Sequence, residues 1–421
     1  MLAKPVLILR IHNYNKVSFG AILGCLDESL LSSFDIIAFE GFKDFDLPSW
    51  QGRRILALYS FMQSHMPQVY KEILEFKENY PQAEFLAGGA QATAAPETIE
   101  TLGFDYVCSG EGENFIGAFL LKWLEGKADR GIHRTGKAQV DLNASPGFSR
   151  IIDYLPPIEI SRGCSFGCMF CGVPALFAGK VRHRSVDSIC SIAEEYLRIN
   201  PSRRVIKFLA PNAFAYGSHD GKPNLQAIKE LLEGLTDTGI KSIQMGSFPA
   251  EVRPDFVTRE VMELVSKYAK NKTIVMGLQT GSDAMLKKMN RRHTVEDSLR
   301  AVALIREFGY TPHLDFIVGN PGETYKDQLE MLEFIWFLIK TYGAKIHMHA
   351  FTPLPHTAWA KEEQSEIFDD IKAEMKRMQS EGHLDGWWEN HIGYYREGKN
   401  LAKSLSKKAK KRLSDDKNND I

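Results

Sequence analysis

Cys164, Cys168 and Cys171 stand in the segment 161–174, SRGCSFGCMFCGVP, so that half of the chain's six cysteines are spaced C-x3-C-x2-C. Cysteine is the usual ligand of iron–sulfur clusters, and three thiolates can hold three corners of a cubane. No fourth cysteine stands nearby, so one iron keeps an open coordination position. By analogy with zinc sites, an open position is what a catalytic metal needs and a structural metal does not. Glycines before, between and after the cysteines let the backbone fold tightly around such a group. A zinc site completed by His183 is the alternative, although structural zinc ligands usually come as paired spacings. The clustering argues for metal binding in a reducing compartment and against a disulfide framework. Cys25, Cys108 and Cys190 sit among apolar neighbours and read as small buried hydrophobes.

Repeating elements must position the three thiols. Short apolar runs at 157–161, 205–209, 242–245, 274–279, 313–318 and 346–351 read as strands, separated by helical patterns at 186–199, 225–236, 257–268, 295–307 and 325–340. This steady alternation predicts a partial (β/α)6 barrel of the TIM type, in which chemistry sits at the carboxyl ends of the strands. The cysteines follow the first of these strands. Ahead of them, runs at 6–9, 36–39, 55–59, 84–87 and 106–108 alternate with helical patterns at 18–31, 67–79 and 114–124, which predicts a doubly wound, Rossmann-like parallel sheet. The fold class is therefore α/β. The organisation expected is a doubly wound domain over 1–130, a linker over 131–150, the barrel over 151–360, a helical extension over 361–398 and a basic disordered tail over 399–421. An aromatic patch at Trp387, Trp388, Tyr394 and Tyr395 reads as core. The tail reads as solvated; the alternative is a basic helix touching RNA, since Leu401, Leu405, Ala409 and Leu413 keep a four-residue spacing.

Bulk properties exclude several classes. The formal net charge is -1, so nothing global points to nucleic acid or an anionic membrane as partner. No uninterrupted apolar stretch reaches the length of a membrane span. The amino terminus has no cleavage-site pattern after its apolar run. A cytoplasmic protein is the expectation.

The C-x3-C-x-aromatic-C motif on a repeating β/α unit resembles the radical SAM superfamily. That resemblance implies a [4Fe–4S] cluster on Cys164, Cys168 and Cys171, with S-adenosylmethionine (SAM) on the open iron. One electron then breaks the sulfonium and gives a 5'-deoxyadenosyl radical. An electron donor such as ferredoxin or flavodoxin is implied as partner. Phe170 matches the aromatic position whose backbone lies near adenine. The segments 277–283 (GLQTGSD) with 289–294 (MNRRHT), and 315–324 (DFIVGNPGET), resemble signatures of radical SAM methyltransferases and methylthiotransferases. The segment 351–357 (FTPLPHT) resembles the last barrel strand, with His356 where glycine is usual. These place Gln279 and Val318 at the SAM site. The second strand ends in FLAPNAF (208–214) in place of the Gly-Gly-Glu-like segment that grips the SAM amino group, leaving Asn212 for that role. Ser247 and Glu251, with Arg253, follow the third strand and are candidate partners for ribose and carboxylate. A surface ion pair is the plainer reading of Glu251 and Arg253.

The segments 86–93 (LAGGAQAT) and 105–113 (DYVCSGEGE) resemble the cobalamin-binding-like domains that precede many radical SAM domains. The resemblance nominates Ser60, Gly88, Gly89 and Glu111 for cobalamin. The usual Asp-x-His-x-x-Gly pattern after the first strand is missing; only His12 stands in the matching place, so no firm histidine ligand to cobalt is expected. The function implied is a cobalamin-dependent radical SAM methyltransferase acting on an unactivated carbon. One alternative is a methylthiotransferase modifying tRNA or protein, which would carry three further amino-terminal cysteines where this chain has Cys25 and Cys108. The other is a non-catalytic iron–sulfur electron carrier or redox sensor.

Overall fold

The structure is a computed structural model and describes residues 3–40, 50, 52–136, 139–393, 397–398, 400–401 and 404–405. It divides into two compact units, one of residues 1–156 with 393–421 and one of 157–392.

In the first unit, β1 (Val6–Arg10), β2 (Asp35–Phe39), β3 (Ile55–Ser60), β4 (Glu84–Gly88), β5 (Tyr106–Ser109) and β6 (Gly131–Arg134) form one parallel sheet in the order β2-β1-β3-β4-β5-β6. β1 is buried along its whole length, as a central strand covered on both faces must be. The helix Met66–Asn79 buries Val69, Ile73 and Phe76 against one face. The helix Glu113–Leu124 buries Ile116, Phe119, Leu120 and Trp123 against the other. The strand order reverses between β1 and β3, and in doubly wound sheets ligands bind in the crevice outside the carboxyl ends at such a switch point.

Two expectations are corrected here. The helical pattern at 18–31 is broken into Lys16–Leu23 and Glu28–Leu31. Residues 131–134, expected in the linker, form β6; Gly131 and its neighbours carry too little apolar alternation to announce a strand, and pairing with β5 alone holds them. Two described residues of the expected tail belong to the first unit's core. Leu405 is 3% exposed and joins, with the partly buried Leu401, the core cluster to which Phe76 and Tyr80 belong, so the four-residue spacing serves packing there. Ala409 and Leu413 lie outside the described residues, as do Tyr394 and Tyr395 of the aromatic patch. Of the rest of that patch, Trp388 is core and Trp387 is exposed.

The second unit is an open barrel. β7 (Ile158–Glu159) leads into β8 (Ser161–Arg162), which forms an antiparallel pair with β9 (Arg182–His183). β10 (Val205–Leu209) lies between β7 and β11 (Ser242–Gln244). β12 (Thr273–Gln279), β13 (Thr311–Val318), β14 (Lys345–Ala350) and β15 (Leu384–Asp385) continue in that order, all parallel. The backbone of Val252 joins the two runs, donating to Val275 and accepting from Gly277. Strands and helices fall where the alternation puts them, with β15 as an addition: residues 384–385, expected in a helical extension, pair beside β14. Two residues are too few to carry a strand pattern. Thr294 and Thr324 cap the helices Val295–Glu307 and Tyr325–Tyr342 in capping boxes with Asp297 and Asp327, which fixes the loops that precede them.

Candidate active site

The three cysteines lie in the loop bracketed by β8 and β9, at the carboxyl end of β7. Gly163 enters that loop at φ +87°, and a Cβ there would fall 1.9 Å from the carbonyl oxygen of Lys180, so the close return of the chain admits only glycine. The signature 289–294 holds the loop from outside. Met169 N–H donates to Met289 O at 3.1 Å, and Asn290 Nδ2 donates to Gly167 O at 2.8 Å. Cys168 is buried, while Cys164 and Cys171 are half-buried. Burial pushes the Cys164 and Cys171 thiols up, Cys171 to about 11. They are protonated at neutral pH without metal, and binding iron must release those protons.

Two buried guanidinium groups converge on the Cys168 sulfur. Arg291 Nη1 is 3.6 Å from Sγ and Arg253 Nη1 is 3.8 Å from it. Arg253 is held by Asp255 at 3.0 and 3.1 Å, stacks over Phe166 at 3.7 Å, and donates to Arg291 O at 2.7 Å. Arg291 donates to Gly277 O at 2.5 Å. Burial, and then Arg253 beside it, lowers the pKa of Arg291, so this corner of the barrel is short of negative charge. Next to them His293 is 5% exposed with neither ring nitrogen hydrogen-bonded among the described residues, and burial pushes its pKa down to about 3.

The expected SAM residues fare differently. Asn212, at the end of β10, and Ser247, after β11, are 5% and 7% exposed, yet both amide atoms of Asn212 and the Ser247 hydroxyl have no partner among the described residues. Asn212 lines a cavity of about 250 Å³ with Cys164, Phe166 and Pro211. Phe170 packs with Met169 and Ile317 against Met285, Met289, Phe351 and Trp359. Gln279 ends β12 at φ +77°, a strained conformation for a side-chain-bearing residue, at the bulge between Gly277 and Gln279. Val318 is fully buried on the same strand face as Leu314 and Phe316. Strand alternation puts its neighbour Ile317 on the other face, in the cluster that also holds Phe170.

Glu251 and Arg253 form no pair with each other. Arg253 turns to Asp255 and Cys168, whereas Glu251 meets Asp315 of β13. Burial raises the pKa of both; the charge and hydrogen bond of Glu251 push Asp315 up further, to about 9, while the hydrogen bond from Asp315 holds Glu251 lower, so the two carboxyls share a proton that sits on Asp315. His183, the alternative zinc ligand, has Nδ1 2.8 Å from Ser161 Oγ and Nε2 3.3 Å from Ser218 O, so both nitrogens are engaged away from the cysteines. Arg291 and Asp315 lay within quoted motifs, but sequence reasoning gave neither a role. Their significance comes from the sulfur and the carboxylate that tertiary folding brings to them.

In the first unit, His12 follows β1 and Ser60 ends β3, which puts both at the β1/β3 switch. Asn15 bridges the two strand ends, donating to Arg10 O at 3.0 Å and Ser60 O at 2.7 Å. His12 stacks on Tyr14, which stacks on His65 at 3.9 Å, and His12 Nδ1 has no partner among the described residues. Gly88 ends β4, and Gly89 follows at φ +83° against the Ser60 hydroxyl, so it cannot carry a Cβ without displacing that group. Glu111 accepts from Val140 N–H at 3.0 Å, which commits one carboxylate oxygen to the loop after β6.

Residues 158–335 match the Radical SAM superfamily. RimO of Pelotomaculum thermopropionicum, a ribosomal protein uS12 methylthiotransferase, is 34% identical over 227 residues, covering 50% of this chain and 48% of its own length. The chain spans about half the length of the curated relatives it matches. In structure it is similar to the radical SAM methyltransferase TsrM from Kitasatospora setae, solved with cobalamin and a [4Fe–4S] cluster. The TM-score is 0.61 at 15% identity, over 85% of this chain and 74% of that one. It is also similar to the cobalamin-dependent SAM radical enzyme OxsB, with a TM-score of 0.60 at 16% identity, over 79% and 52%. These are likenesses of fold. The superfamily match implies a [4Fe–4S] cluster and SAM, and the residues fit both. Three thiols sit beside two buried cations that an anionic cluster would balance, and the unpartnered polar atoms of Asn212 and Ser247 await a polar ligand.

Proposed function

We propose, from the premise that this chain is a radical SAM protein with a cobalamin-binding-like domain, that it is a cobalamin-dependent methyltransferase acting on an unactivated carbon. One observation carries the reading. A single chain joins a three-cysteine barrel to a doubly wound sheet whose β1/β3 crevice bears His12 and Ser60, and TsrM and OxsB share the fold over most of its length. When bound, the cluster supplies the electron that cleaves SAM reductively, and cobalamin supplies methyl-carrying capacity. The chain's own residues do the rest. Cys164, Cys168 and Cys171 hold the iron, and Arg253 and Arg291 offset the negative charge at Cys168. Asn212 and Ser247 bind and orient the polar groups of SAM, with Gln279 and the backbone of Phe170 beside it. Ser60, Gly88 and Gly89 admit cobalamin at the sheet edge, and the stacked His12 is a side chain of that crevice, not a ligand to cobalt.

Methylthiotransfer is the second reading, favoured by the 34% identity to RimO. It would call for three amino-terminal thiols. Only Cys25 and Cys108 precede the barrel, and Cys108 is buried in β5 with its thiol pushed up to about 12 by burial. The test is an anaerobic titration of cluster-loaded protein with hydroxocobalamin and methylcobalamin, followed by visible spectra. Saturable binding of one cobalamin per chain, weakened by Gly89→Val, supports the methyltransferase. Absence of binding by protein that retains its cluster removes it.

A further inference from the structure

The amino-terminal end of the barrel carries a second set of metal-ligating side chains. His313 is the third residue of β13, His347 the third of β14, and Asp385 the second of β15. In-register parallel pairing sets His347 directly beside Asp385, with His313 on the neighbouring strand. One donor atom from each of the three lies within 4.8 Å of the others. His347 Nδ1 is 2.5 Å from Asp385 Oδ1, and His313 Nε2 is 3.9 Å from the same oxygen.

A simple His–Asp hydrogen bond accounts for His347 and Asp385 but not for His313. Its Nε2 is shut off from solvent, has no hydrogen-bond partner among the described residues, and points at an oxygen too distant to accept from it. A buried imidazole nitrogen left in that state costs free energy that an ion would recover. Two imidazoles and one carboxylate are a donor set suited to zinc or another borderline divalent ion. Bonds of about 2.0–2.2 Å would set the donor atoms about 3.3–3.5 Å apart, so side-chain rotation has to part His347 Nδ1 from Asp385 Oδ1 and draw His313 Nε2 closer. The Asp385 side chain is 65% exposed, which gives an ion an entry path. The groups facing the site are His349, whose ring is 4.6 Å from that of His347, His391 stacked on His349, and Lys345, with Asp315 and Glu251 farther into the barrel.

We infer that His313, His347 and Asp385 form a divalent transition-metal site at the end of the barrel opposite the cysteines. With three protein ligands it keeps a coordination position for water or a ligand atom.

Equilibrium dialysis of cluster-loaded protein against micromolar zinc, with zinc and iron counted per chain by mass spectrometry, tests it. The expectation is one zinc per chain beyond the cluster iron. The triple variant Cys164→Ser, Cys168→Ser, Cys171→Ser should retain that zinc. His313→Ala, His347→Ala and Asp385→Asn should each bind zinc at least about 100-fold more weakly, since loss of an outer-shell partner alone costs about 10–100-fold. Asp385 is exposed, so Asp385→Asn decides the matter if a histidine variant folds poorly. Absence of the extra zinc, zinc that disappears with the three cysteines, or zinc that survives Asp385→Asn would each overturn the assignment.

Discussion

Replacing Arg291 with methionine removes one of two buried cations beside Cys168 while keeping most of the side-chain volume. At an effective dielectric of about 20, a full charge on the sulfur 3.6 Å away would interact with the guanidinium by about 4.6 kcal/mol. An electron added to a cluster spreads over iron, sulfide and three thiolates. If about a quarter of it reaches Cys168, the loss is about 1.2 kcal/mol, or about 50 mV for a one-electron couple. Positive charge favours the reduced form, so Arg291→Met should lower the cluster midpoint potential by at least that amount. Arg253→Met should lower it less, because Asp255 already offsets Arg253 at 3.0 Å. The assay is a redox titration of the reconstituted cluster by electron paramagnetic resonance, without SAM. The reasoning is refuted if Arg291→Met, with full iron content and an unchanged circular dichroism spectrum, has a midpoint within about 10 mV of the parent or above it.

Two other predictions follow from unpaired and shared polar groups. Ser247→Ala removes a buried hydroxyl with no partner, so the SAM-free protein should be unchanged or about 1–2 kcal/mol more stable in denaturant titrations, while SAM binds about 5–10-fold more weakly by calorimetry. A variant that loses stability and binds SAM normally would show that the hydroxyl is a structural group. For Asp315 and Glu251 the folded pKa values are raised, so the native state keeps a proton that the unfolded chain has released. Their contribution is fully present below the ordinary carboxylate pKa and fades as pH rises toward the raised one, at up to about 1.4 kcal/mol per pH unit. Asp315→Asn should flatten that decline in stability from about pH 4 upward, as read from denaturation midpoints; an unchanged slope would mean the pair is not sharing a proton.

The strands and helices of both units were legible because parallel strands covered on both faces are short apolar runs, and the helices between them carry single apolar stripes. The cysteine loop was legible for a different reason: three thiols with glycine between them have few other uses. What escaped depended on register and on tertiary approach. Residues 131–134 and 384–385 become strands only because an edge is waiting for them. Ile317 and Val318 face opposite sides of β13, a difference that a one-residue shift in register would reverse. Glu251 and Arg253 looked like partners in sequence, yet Glu251 meets Asp315 of β13, and Arg253 turns to Asp255 two residues on and to the distant Cys168. Leu401 and Leu405 fall in a segment that reads as a solvated tail because charge dominates it, whereas the two leucines pack onto the first unit's core. His313, His347 and Asp385 are spread over 73 residues of sequence and share no motif; only strand order brings them together.

The most direct test of the central claim is to give cluster-loaded, cobalamin-loaded protein SAM deuterated at its methyl group, together with a low-potential reductant. Mass spectrometry of the released cobalamin then reports where the label goes. Deuterated methylcobalamin is expected in the parent protein, with loss of that label when Asn212→Leu weakens SAM binding. Cobalamin that remains bound but never acquires the label, in protein that still binds SAM, would contradict a cobalamin-dependent methyltransferase.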